Sequence, residues 1–100
     1  MITSSFSGRA AWGEATIISY TATEKTTLYF AIVVQNNATS AYTRVLKNNV
    51  EIGRVTSPGA NRHGSGILFT DTNIGDSISV ITWGDSDQHV TYTSCVVFTI

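Results

Sequence analysis

The sequence predicts an all-β chain folded as one antiparallel β-sandwich of the jelly-roll kind, with about eight strands. Three observations carry this. Val, Ile and Thr supply 34 of 100 residues, and β-branched side chains suit a pleated surface better than a helix. Short apolar or alternating runs recur along the whole chain, each closed by Gly, Asn, Asp or Ser. Proline occurs once, and no run shows the 3.6-residue apolar period of a helix. One hundred residues leave room for a single core, so residues 1–100 form one domain.

Taken in order, the expected strands are 2–7, 15–22, 27–36, 41–47, 50–56, 66–71, 76–83 and 89–100. Segment 27–36 is apolar on both faces: Leu28, Phe30, Ile32 and Val34 share one side, and Tyr29, Ala31 and Val33 the other. A strand of that kind is either central or pressed against a neighbouring subunit. Asn48-Asn49, between Val45-Leu46-Lys47 and Val50-Glu51-Ile52, predicts a two-residue hairpin turn, because Asn tolerates positive φ. Asn73-Ile74-Gly75-Asp76 predicts a second turn. The three-glycine stretch 57–66 reads as a long loop, and 84–88 as another. In the last strand Val90, Tyr92, Val96, Phe98 and Ile100 form the expected core side, opposite His89, Thr91, Thr93, Cys95, Val97 and Thr99.

Charge narrows the function classes. Only 13% of residues are charged, against roughly 25% in ordinary soluble domains, while Thr and Ser number 15 and 11. Such a surface is easily desolvated and suits subunit contacts; a solvated Thr-rich sheet is the plainer alternative. The six Lys and Arg residues are scattered singly, which argues against nucleic acid as a partner. No apolar run approaches the ~20 residues of a membrane span, and Met1 to Gly8 lacks the basic and hydrophobic parts of a signal peptide. The lone Cys95 cannot form an internal disulfide, so folding in a reducing cytoplasm is expected.

No arrangement of residues supports catalysis. Gly64-Ser65-Gly66 lacks the Gly-x-Ser-x-Gly spacing and the helix of a nucleophile elbow. His63 and His89 form no metal-binding pair motif, and His63 is expected in a mobile loop. Asp85-Ser86-Asp87 has the spacing of part of a calcium loop, with Asp71, Asp76 and Glu14 as the acids that could join it. A solvated turn with capping Asp residues explains the same pattern, and no cofactor or metal is expected.

From Thr21 onward the order of features resembles the trimeric jelly rolls of the complement-globular-head and tumour-necrosis-factor-like type, including those of phage fibres and knobs. The residues that carry it are Thr21-Ala22-Thr23 before Leu28-Tyr29-Phe30, the hairpin Leu46 to Gly53, Gly64-Ser65-Gly66-Ile67-Leu68, Gly75-Asp76-Ser77-Ile78-Ser79-Val80, and the closing strand Cys95 to Ile100. It departs where Thr23 and Thr26 replace the usual Pro and Gly, where Asn49 replaces the hairpin glycine, and in a last strand without glycine. The resemblance implies a homotrimer with both termini near one end of the protomer. It further implies a non-enzymatic structural protein of a phage virion, assembled in the host cytoplasm: a capsid decoration, or cement, protein bound to the major capsid protein. A tail-fibre tip or a carbohydrate- or receptor-binding module is the alternative.

Two candidate sites follow from the large side chains. Residues 1–13, with Ile2, Phe6 and Trp12, are a candidate anchoring segment for a partner. Trp83 beside Asp85, Asp87 and Gln88 is a candidate glycan site, since sugars stack on aromatic faces and hydrogen-bond to carboxylates and amides.

Overall fold

A computed structural model describes residues 1–9, 13–84 and 91–100. These form eight strands: β1 (Ile2–Arg9), β2 (Gly13–Thr21), β3 (Thr26–Asn36), β4 (Ala41–Lys47), β5 (Val50–Ser57), β6 (Arg62–Thr72), β7 (Ser77–Gly84) and β8 (Thr91–Phe98). They lie in two antiparallel sheets, ordered β1-β8-β3-β6 and β2-β7-β4-β5. Only the β4–β5 connection stays within a sheet; each other consecutive pair changes sheets, which wraps the chain as a jelly roll.

The core is filled from both sheets by period-two alternation. Leu28, Phe30, Ile32 and Val34 of β3 are buried against Val45, Ile78, Val80, Cys95 and Val97. Strand β3 is central, between β8 and β6, and its Tyr29–Ala31–Val33 side faces outward. Met1 and Thr99 exchange two backbone hydrogen bonds at 2.6 and 2.8 Å, so the chain ends meet at one end of the sandwich.

The turn chemistry follows the sequence. Asn48 and Asn49 adopt φ of 51° and 66°, the paired positive values of a primed hairpin turn. Asn48 also donates to Asp76 Oδ1 at 3.0 Å and accepts from Ser77 N at 2.9 Å, which ties the hairpin to the start of β7. In the 73–76 turn Asp76 N donates to Asn73 O at 3.1 Å, and Gly75 has φ 93°.

Two expectations are corrected. The loop expected over 57–66 shrinks to Pro58–Asn61, because β5 runs through Ser57 and β6 begins at Arg62. His63 therefore stands on a strand, opposite Gln35, and in no mobile loop. The glycines there serve packing, since a Cβ on Gly64 would strike the Thr56 carbonyl of β5. The second correction concerns β8, whose core side is the reverse of the expected one. Thr91 and Cys95 are 1% and 0% exposed, while Tyr92 is 55% exposed and Val96 and Phe98 are half-buried on the outside. The buried threonines are affordable because their hydroxyls are paired. Thr82 and Thr93 lie 2.8 Å apart, with Thr43 at 3.2 and 3.3 Å from them, and Asn36 Nδ2 donates to Thr91 at 2.8 Å.

Candidate functional site

Reversal of β8 places large apolar side chains on the outer face of the β1-β8-β3-β6 sheet. Register aligns them in rows across the four strands. Ile2, Phe98, Tyr29 and Phe69 form one row, then Ser5, Val96, Ala31 and Ile67, then Ser7, Ser94, Val33 and Ser65. Tyr29 stacks on Phe98 at 5.4 Å between ring centroids and meets Phe69 at 6.1 Å. Phe69, Ile67 and Ile2 are nevertheless 67%, 64% and 67% exposed. These twelve positions contain no charged residue. The first two rows make a contiguous, largely apolar patch, which marks a contact surface on a folded domain. Strand β6 shows the same choice as β8: Ile67 and Phe69 point out, while Gly64 and Gly66 point in toward β5.

The opposite sheet is built differently. Across β2, β7, β4 and β5 the outer side chains form a connected network. Tyr42 donates to Glu14 Oε1 at 2.6 Å, Arg44 contacts Glu14 at 3.0 Å and Glu51 at 3.6 Å, and Arg54 donates twice to Glu51 at 2.6 and 3.1 Å. Trp83 lies parallel to Tyr42, and the Arg54 guanidinium sits 4.3 Å from the Tyr42 ring centre. The Tyr42 hydrogen bond, then that of Arg44, holds the Glu14 carboxyl below its ordinary range; the Arg54 fork does the same for Glu51. Charge here is used up internally, so this face is suited to water.

The sequence-predicted site residues fare unequally. Ile2 is exposed in the outer apolar row, whereas Phe6 of the same strand turns inward and packs on the core. Residues Ile2 to Arg9 pair along β8 as an edge strand, with a bulge between Ile2 and Ser4. Trp83 is half-buried with one face engaged by Tyr42. Trp12, Asp85, Asp87, Gln88 and His89 lie outside the described residues. Of the acids considered for calcium, Glu14 is held by Tyr42 and Arg44, Asp76 caps the 73–76 turn, and Asp71 accepts from Thr27 at 2.6 Å. These three sit on separate elements, and the described residues contain no cluster of three His, Cys, Asp or Glu that could hold a metal. Ser65 and His63 share the outer side of β6, with no carboxylate bonded to the imidazole among the described residues.

Sequence reasoning missed the outer rows of β6 and β8. The signal was available in Ile67 and Phe69 alternating with Gly66 and Leu68, but period-two alternation does not say which side is inside.

No family model matches the chain, and no curated protein is found as a relative. Among solved structures the chain is similar to a carbohydrate-binding module, CBM36, in complex with calcium and xylotriose. That match has a TM-score of 0.49 and 15% identity, over 96% of this chain and 90% of that one, too loose to transfer a site or a ligand.

Proposed function

We propose that this domain is a non-enzymatic structural module that acts as a homo-oligomer, a trimer, assembled through the two apolar rows Ile2–Phe98–Tyr29–Phe69 and Ser5–Val96–Ala31–Ile67 on the outer face of the β1-β8-β3-β6 sheet. One observation carries the reading: Ile67 and Phe69 of β6 and Tyr92, Val96 and Phe98 of β8 face outward, while the core side of the two strands holds Gly64, Gly66, Thr91, Thr93 and Cys95 beside Leu68 and Val97. Burying a side chain such as Phe69 or Ile67 stabilises an assembly by on the order of 1–2 kcal/mol each, given how much of each is exposed. The charge-paired opposite face gives no comparable gain. Attachment to a phage capsid as a decoration protein rests on the resemblance in feature order.

Light scattering at micromolar concentration tests this. The wild-type chain should run as an oligomer, and Ile67→Asp with Phe69→Asp should give a folded monomer, since both side chains are exposed in the protomer. A monomeric wild-type chain overturns the reading.

A further inference from the structure

At the loop end of the same face, beyond the apolar rows, the surface changes character. Arg9 of β1, Tyr92 of β8, Gln35 of β3 and His63 of β6 stand in register as the next row across the sheet. Together with Ser7 and Ser94, which stand opposite each other, and with Val33, the residues Tyr92, Gln35 and His63 line a cavity of about 160 Å³. An engineered cavity of about 150 Å³ holds one benzene ring, so this one has room for a single six-membered ring.

The lining has a particular chemistry. Tyr92, 55% exposed, offers an aromatic surface, and Val33 supplies an apolar floor. The polar groups are an amide, an imidazole and serine hydroxyls, each able both to donate and to accept. The Gln35 side chain is held in place, its Nε2 donating to Asn61 O at 3.0 Å. A ligand with no apolar face would leave Tyr92 and Val33 uncovered. A wholly apolar ring would in turn leave the amide and hydroxyls unpaired. A ring with an apolar C–H face and a rim of hydroxyls satisfies both halves.

We infer that this cavity binds one residue of a carbohydrate. Tyr92 stacks on the sugar's C–H face, while Gln35, His63, Ser7 and Ser94 hydrogen-bond its hydroxyls. The inference does not depend on self-assembly, because Ser7, Val33, Gln35, His63, Tyr92 and Ser94 all come from one protomer.

The probes are glucose, galactose, mannose, xylose and N-acetylglucosamine, titrated into the protein and followed by amide NMR. At least one should give saturable shifts at Gln35, Tyr92 and Ser94, with a dissociation constant on the order of 1 mM. Tyr92→Ala should weaken binding about tenfold, Tyr92→Trp should retain it, and Gln35→Ala should weaken it. Light scattering on each variant separates loss of sugar from loss of assembly: binding should fall with the mass unchanged. Three results overturn the inference: no saturable shift with any of the five sugars, shifts centred on Trp83 instead, or unchanged affinity in a folded Tyr92→Ala protein.

Discussion

Trp83 and Tyr42, directly opposite on β7 and β4, stack with 5.6 Å between ring centroids and 7° between planes. Arg54 lies over the same tyrosine from β5, and Glu14 reaches the tyrosine hydroxyl from β2. One side chain thus gathers contributions from every strand of its sheet. Trp83→Ala should lower unfolding stability by about 1–3 kcal/mol in urea melts, through lost stacking and lost area. It should leave the mass measured by light scattering unchanged, because the assembling face is on the other sheet.

The same network sets the acid limit of the fold. The carboxyls of Glu14 and Glu51 are held below the ordinary 4.5 by Tyr42 and Arg54 respectively. That of Asp76 is held below 3.8, chiefly by the Asn73 N–H and then by Asn48. A depressed carboxylate pKa contributes stability that is fully present above the unfolded value and lost as pH falls through the folded value. The urea midpoint should therefore be flat from neutral pH to about 5 and fall below about 4.5. Glu14→Gln should flatten part of that fall; an unchanged acid limb would remove Glu14 from the account.

Gly64 and Ser65 separate packing from chemistry. A Cβ at position 64 would clash with the Thr56 backbone, which cannot move without opening the β5–β6 side of the sandwich. Gly64→Ala should cost about 3 kcal/mol or more, or prevent folding, as read by thermal melts. Ser65→Ala, on the exposed side of the same strand, should change stability by less than about 0.5 kcal/mol.

The hairpin offers a gain. Asn49 sits at φ 66° and its side chain makes no hydrogen bond among the described residues, whereas Asn48 anchors Asp76 and Ser77. Asn49→Gly should raise the melting temperature slightly, by the equivalent of about 0.5 kcal/mol, and Asn48→Gly should lower it. Reversed signs would show that the two turn positions are not distinguished in this way.

Cys95 is fully buried, and desolvation pushes its thiol up to about 11. It should resist iodoacetamide at pH 8 in the native state and react on unfolding, as mass spectrometry would show.

The sequence alone determined the strand content, the strand boundaries to within two residues except at the start of β6, and both tight turns, because these depend on neighbours within a few residues. Asn48-Asn49 and Asn73 to Asp76 are local statements about φ and side-chain capping. Alternation in β8 was equally visible, but its sidedness was not: Tyr92-Val96-Phe98 looks more like core than Thr91-Thr93-Cys95. Only the tertiary structure supplied Thr43, Thr82 and Asn36 as partners for those threonines, and hydroxyls that have partners can be buried cheaply. The loop expected over 57–66 failed for a related reason. Gly64 and Gly66 are demanded by strand β5 passing close by, a contact between sheets that composition cannot reveal. Once the small and hydroxylated residues are turned inward, the apolar rows and the Tyr92–Gln35–His63 cavity are left outside, and it is there that the candidate surfaces of this protein lie.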